Sequence, residues 1–64
     1  MTGPELKARR ESLGLSQAAL ATLLKVRQPH IARWETGGAA ITEMRAAWLR
    51  QEFERIERER KAAV

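Results

Sequence analysis

The sequence contains no cysteine, no aspartate and no tyrosine, and its one histidine is His30. Without cysteine there are no disulfides and no thiolate metal ligands, and one imidazole cannot form a histidine-rich metal site. We therefore expect no metal and no cofactor. A chain of 64 residues forms one domain at most and buries only about 60% of its unfolded surface. Small proteins are usually stabilised by disulfides or a structural metal, and this chain is expected to have neither. Association with a second copy is the stabilising interaction that remains.

Long hydrophobic runs are missing as well. The uncharged stretch 13–24 includes Ser16, Gln17 and Thr22, so it is too short and too polar to span a bilayer. The N-terminus lacks a basic segment followed by an apolar one, so we expect no signal peptide. These features predict a cytoplasmic protein with no membrane partner.

The composition favours a folded, helical chain with a basic surface. Hydrophobic residues make up 44% and charged residues 31%, and Ala, Leu, Glu and Arg outnumber the β-branched residues. Lys and Arg total 12 against 8 acidic residues, for a formal net charge of +4. This excess is compatible with an anionic partner, such as nucleic acid or a membrane surface. It is equally compatible with a soluble domain that has a modest excess of arginine.

Capping residues divide the chain into helices. Thr2 and Glu5 match a capping box, and Gly14 suits the left-handed conformation that ends a helix. Ser16 and Thr42 are N-cap candidates for two later helices. The four predicted helices cover residues 3–12, 17–24, 28–35 and 42–60.

The last predicted helix carries two apolar stripes. One stripe consists of Met44, Ala47 and Trp48, and the other, about 140° further round, consists of Leu49, Phe53 and Ile56. A surface helix needs only one apolar stripe, so two stripes predict two partners. We assign the first stripe to the helix's own domain and the second to a dimer interface. The alternative is that the second stripe packs back on the first helix.

The segment 17–36 has the helix-turn-helix plan, in which two short helices meet across a tight turn. The small Ala21 permits a close approach where the helices cross. The apolar residues at the spacing that buries the inner faces are Leu20, Leu24, Val26, Ile31 and Trp34. The outward positions of the second helix are Gln28, Pro29, Ala32 and Arg33. A helix with such a face fits the major groove of DNA.

Two stretches of the chain resemble the Cro/C1-type (XRE) helix-turn-helix family of phage and bacterial repressors. They read LGLSQAALA at 13–21 and VRQPHIARWETG at 26–37, and the resemblance extends over about residues 4–44. The compact form looks more like small phage and plasmid autorepressors, including those of anti-CRISPR operons, and some antitoxins. The resemblance implies a compact all-α, lambda-repressor-like domain with a long C-terminal helix. It has four helices, or five if the last one is broken near Arg50.

The resemblance also implies roles for the matching side chains of the second motif helix, the recognition helix. Gln28 can contact adenine, and Arg33 can reach guanine in the same groove. Pro29 packs on a thymine methyl or the sugar edge, and Ala32 leaves room for a close approach. The residues that suit phosphate contacts are Gln17, Arg27 and Thr36. The residues that would form a structural ion pair are Arg10 and Glu35.

Two positions depart from the family's pattern. Lys25 stands at the turn position that is usually glycine, and a left-handed lysine costs about 1 kcal/mol relative to glycine. Arg27 stands where a serine or threonine cap is usual, so a cap worth about 1 kcal/mol is missing. Either the site gains a phosphate contact at this cost, or the turn departs from the family's geometry.

The leading prediction is a sequence-specific repressor that binds double-stranded DNA as a homodimer. The recognition helix of each copy would enter the major groove of an inverted-repeat operator, with half-sites about 34–36 Å apart. Such an autorepressor needs no small-molecule effector and acts at the nucleoid. We expect residues 1–64 to form one domain, with 1–40 as the DNA-binding part and 41–64 as the dimerisation helix. Residues 1–40 carry six basic and three acidic side chains, so the positive charge lies mainly there.

Two other classes of function compete with this prediction. The alternative is an antitoxin-like or adaptor module that uses the stripe of Leu49, Phe53 and Ile56 to bind another protein. An enzyme is disfavoured because there are no paired catalytic carboxylates and no phosphate-binding glycine loop. Gly37 and Gly38 end a helix instead.

Overall fold

The computed structural model describes residues 1–62, and this part of the chain contains four α-helices and no strand. The helices are α1 (Gly3–Ser12), α2 (Gln17–Leu24), α3 (Gln28–Thr36) and α4 (Glu43–Ala62). The all-α prediction is confirmed. The last helix runs unbroken through Arg50, which decides for four helices over five among the described residues. None of these helices combines the length and the apolar character that a membrane crossing requires.

Local capping accounts for where the helices begin. Thr2, Ser16 and Thr42 each accept a hydrogen bond from the backbone N–H three residues further on, at 3.2, 3.0 and 3.1 Å. Each hydroxyl thereby satisfies one of the N–H groups that a helix start leaves without a partner. The third helix differs, since Arg27 at its N-cap makes no side-chain capping bond.

The turn between α2 and α3 keeps a tight, left-handed geometry without a glycine. Lys25 has φ 59° and ψ 38°, and it is the one non-glycine residue with positive φ in the described chain. Its N–H donates to the carbonyl of Thr22 at 3.2 Å, and the N–H of Val26 donates to that of Ala21 at 3.0 Å. The two bonds end α2 and offset part of the cost of a left-handed lysine.

The hydrophobic core lies between α1, α2, α3 and one face of α4. Its buried members are Leu6, Leu20, Ala21, Leu24, Ile31, Trp34, Leu49, Phe53 and Ile56. The start of α1 also packs directly on the end of α3. A Cβ placed on Gly3 would lie 2.5 Å from the backbone oxygens of both Trp34 and Glu35. Only glycine permits this approach.

The structure corrects the assignment of the two stripes on α4. Leu49 and Phe53 are 0% exposed and Ile56 is 3% exposed, within the core of a single chain. The prediction that these three residues form a dimer interface is therefore wrong, and the alternative that they pack toward α1 holds. Together with the buried Ala46 they extend over about three turns, so this stripe covers more of the core than the shorter one can. Met44, on the other stripe, is 85% exposed.

Polar contacts hold α4 alongside α1. Arg9 forms an ion pair with Glu57 at 3.4 Å, and its guanidinium carbon lies 5.1 Å from the ring centroid of Phe53. Arg60 donates to the carbonyl of Leu13, just beyond the end of α1. These contacts explain why the charged second half of α4 lies against the domain.

Candidate nucleic-acid interface

The third helix presents one polar face to solvent and anchors the opposite face in the core. Ile31 and Trp34 are buried, whereas Gln28, Pro29 and Arg33 are exposed. Ala32 is half-buried on the same outward side. The four residues predicted to contact bases therefore lie together on the accessible side of α3.

A buried ion pair fixes the orientation of α3. The Nε of Arg10 donates to Oε2 of Glu35 at 2.7 Å, and Nη2 donates to Oε1 at 3.0 Å. Gln17, the first residue of α2, donates from Nε2 to Oε1 of Glu35 at 3.1 Å. Arg10 also donates from Nη1 to the carbonyl of Leu15 at 2.8 Å. One carboxylate thus joins α1, α2 and α3, and the pair implied by the resemblance is present.

The ionisation of Glu35 follows from these contacts. Burial raises the pKa of its carboxyl, but the hydrogen bonds from Arg10 and Gln17 and the charge of Arg10 outweigh that effect. The pKa of Glu35 consequently lies below its ordinary value. The ion pair is fully formed at neutral pH, and α3 is held firmly to the rest of the domain.

The exposed side of the α2–α3 unit carries positive charge and no exposed acid. Glu35 is the only acidic residue between Ser12 and Thr42, and Arg10 neutralises it. The basic residues exposed on this segment are Lys25, Arg27 and Arg33. Three acids of α4 are engaged with arginines elsewhere: Glu52 and Glu59 with Arg55, and Glu57 with Arg9. A surface of this sign attracts a polyanion.

The comparison with protein families decides what this arrangement is. A family model described as helix-turn-helix matches residues 6–47, which is more than half of the chain. The protein belongs to the Cro/C1-type (XRE) helix-turn-helix family. The family supports a DNA-binding regulator of this type. Comparison with curated proteins and with solved structures gives no match.

Within the helix-turn-helix, α2 is the supporting helix and α3 is the recognition helix. The matched span 6–47 includes seven of the ten residues of α1 and the first five residues of α4. The recognition helix ends one residue later than predicted, at Thr36, before Gly37 with φ 83°. Capping residues and apolar spacing thus predicted the end of the motif to within one residue.

The three predicted phosphate contacts have different surroundings. Arg27 is exposed at the start of the recognition helix, with no capping bond to restrain it. Gln17 is half-buried and uses one N–H on Glu35, which leaves its second amide N–H available. Thr36 donates its hydroxyl to the carbonyl of Ala32 at 2.9 Å, so it would have to rotate to donate to a phosphate.

Sequence reasoning missed a cleft beside the recognition helix. Its volume is about 360 Å³, and its lining includes His30, Arg33, Trp34, Thr42 and Arg45. The His30 and Trp34 rings lie 6.2 Å apart within it. Arg45 was not among the predicted site residues, although its spacing of three residues from Trp48 indicates that both lie on one side of α4.

Proposed function

We propose that the protein is a transcriptional repressor that binds an inverted-repeat operator as a homodimer. The observation that carries the proposal is the outward face of the recognition helix. Gln28 and Arg33 are exposed there on a helix held by the Arg10–Glu35 pair, and the segment between Ser12 and Thr42 exposes no acidic side chain. Such a face supports readout of base edges in the major groove.

The spacing of the two base-reading side chains supports a short recognition sequence. Gln28 and Arg33 are five residues apart, which is about 7.5 Å along a helix axis and close to two base-pair steps. Gln28 pairs with adenine N6 and N7, and Arg33 pairs with guanine O6 and N7. Pro29 contacts a thymine methyl or the sugar edge, and the small Ala32 lets the backbone approach. Gln17, Arg27 and, after rotation of its hydroxyl, Thr36 contact phosphates.

The exposed stripe of α4 supports a second copy as partner. Met44 is 85% exposed, Ala47 is exposed and Trp48 is half-buried. The small Ala47 allows two antiparallel α4 helices to cross closely on a two-fold axis. Glu43 and Arg50 lie on either side of Ala47, are exposed and form no ion pair within the described chain. Across such an axis each Glu43 faces the second copy's Arg50, so the surface is self-complementary.

Occupancy of a promoter is sufficient for repression, because bound protein blocks polymerase. The proposal therefore includes no small-molecule effector, and it places the protein with the DNA in the cytoplasm. Its operator is an inverted repeat upstream of the protein's own gene, with half-sites about 34–36 Å apart. The second candidate, an antitoxin-like or adaptor module, is favoured by the exposed Met44 and the half-buried Trp48, which fit a protein surface as well.

Selection of binding sites from a random duplex library tests the proposal. We expect enrichment of an inverted repeat, followed by a footprint upstream of the gene. Arg33→Ala should cost about 1–3 kcal/mol on the selected site, a loss of about 5- to 150-fold, and relax specificity at one base pair. Arg58→Ala, which removes the same charge from the far end of α4, is the control. Failure to enrich any duplex would reject sequence-specific binding and favour the protein-interaction module.

A further inference from the structure

Arg45 lies over two tryptophan rings at the junction of α3 and α4. Its guanidinium carbon lies 5.5 Å from the ring centroid of Trp34 on the recognition helix and 4.9 Å from that of Trp48 on α4. Both distances are within the range of cation–π attraction. The stacking restrains the orientation of a side chain that otherwise has many rotamers.

The guanidinium of Arg45 has donors to spare. The residue is exposed, and within residues 1–62 its side chain forms no hydrogen bond and no ion pair. The cation–π contacts use the charge of the guanidinium and none of its five N–H donors, which lie in one plane and stay available. This geometry suits an anion with several acceptor oxygens, of which phosphate is the usual case.

The cleft next to Arg45 lies where a DNA backbone would pass. On α3, Glu35 and its partner Gln17 lie on one side of the outward face, and His30 lies on the other side, by the cleft. A helix in the major groove has a sugar–phosphate backbone along each side. If Gln17 contacts the backbone of one DNA strand, the cleft therefore lies next to the backbone of the other strand.

The lining of the cleft is free of carboxylates. His30, Arg33 and Arg45 supply nitrogen donors, and Trp34 forms part of the wall. Glu43, the acidic residue nearest to Arg45 in the sequence, does not line the cleft. The volume of about 360 Å³ accommodates a phosphate group with its attached sugar edge.

We propose that this cleft binds a backbone phosphate of the DNA, with the stacked Arg45 as its principal donor. The inference rests on the proposed DNA binding and adds a contact on the side of the recognition helix opposite Gln17. A phosphate contact positions the recognition helix in the groove and carries no sequence information itself. Arg45 thereby increases affinity for every duplex to a similar extent.

The test is the salt dependence of binding to a random-sequence DNA duplex. We compare wild type, Arg45→Met, Arg45→Lys and the control Arg58→Met. Methionine retains an apolar cover over the two rings without the charge, and thermal unfolding monitors the fold of each variant. We expect Arg45→Met to flatten the slope of log K against log salt by about 0.9, and to weaken binding about fivefold at about 0.15 M salt. Arg45→Lys should retain most of the slope, and Arg58→Met should match wild type.

The outcomes separate this inference from the function on which it rests. If wild type binds DNA with a steep salt slope and Arg45→Met leaves the slope unchanged, the phosphate site is refuted while the DNA-binding proposal stands. A loss of slope in both Arg45→Met and Arg58→Met would also refute it, because the effect would then reflect net charge alone. Absence of wild-type binding would overturn both proposals.

Discussion

Arg10 and Glu35 meet through two parallel hydrogen bonds, although 25 positions separate them in the chain. Their side chains are only 10% and 3% exposed. The pair connects the last turn of α1 to the last turn of the recognition helix, and Gln17 connects the same carboxylate to α2. The orientation of the outward face of the recognition helix therefore depends on a charge pair buried behind it.

Removing one member of this pair should be far more costly than removing both. Arg10→Met leaves the carboxylate of Glu35 buried without its cation, and we expect a loss of about 3–5 kcal/mol in the free energy of unfolding. In the double variant Arg10→Met, Glu35→Leu no charge remains buried, so most of that loss should be recovered. Urea denaturation of the two single variants and the double variant measures the coupling. Costs that simply add would contradict the buried-pair account.

Glu35 should also make stability depend on acidic pH. Its pKa in the folded protein lies below the ordinary value of 4.5, so the unfolded chain takes up the proton first as pH falls. The stabilisation is complete above about 4.5 and is lost as the pH falls through the lower, folded pKa. Urea melts at a series of pH values should show a steeper loss in wild type than in Glu35→Gln. The exposed Glu54→Gln is the control and should follow wild type.

The left-handed turn residue offers a stabilising substitution. Lys25→Gly relieves a positive φ of 59° at a side chain that is exposed, and we expect a gain of about 1 kcal/mol. The reverse comparison is Gly14→Ala, since Gly14 has φ 68° with open space around a new Cβ. That substitution should cost about 1 kcal/mol for backbone strain alone. Thermal unfolding of both variants measures the two changes in stability. Changes of the same sign would contradict this account of the left-handed positions.

Gly3 and Gly38 should differ in how well they tolerate alanine. Gly3→Ala forces a Cβ to within 2.5 Å of two backbone oxygens of α3, so α1 must shift, at a cost of about 1–3 kcal/mol. Gly38→Ala has its nearest neighbour at 3.8 Å and no positive φ, so we expect almost no change. Urea denaturation measures both. A tolerated alanine at position 3 would show that α1 can move away from α3 cheaply.

The proposed dimer gives a mass prediction. Light scattering at micromolar concentration should yield twice the 7.3 kDa of a single chain. Ala47→Glu places two carboxylates at the two-fold axis and should produce monomers, since like charges would be buried together. Ala8→Glu, also an exposed alanine on a helix, should remain dimeric. A wild-type monomer would reject the second copy as the partner of the Met44 stripe.

Local chemistry made the helix starts and the motif predictable. Thr2, Ser16 and Thr42 cap the helices that their positions predict, because a hydroxyl satisfies a free N–H only three residues away. The outward position of Gln28 and Arg33 follows from the helical repeat once Ile31 and Trp34 are placed inside. These interactions join residues within one or two helical turns, so they can be predicted from the sequence alone.

The sequence by itself thus determined four helices, their order and the position of the helix-turn-helix motif. Only the tertiary structure decided which stripe of α4 enters the core. Both stripes have the same helical period, and the choice depends on how Leu49 and Phe53 fill the space over α1. The stacking of Arg45 on Trp34 and the contact of Gly3 with α3 are likewise tertiary. They join segments far apart in the chain, and no local pattern encodes the packing that brings such segments together.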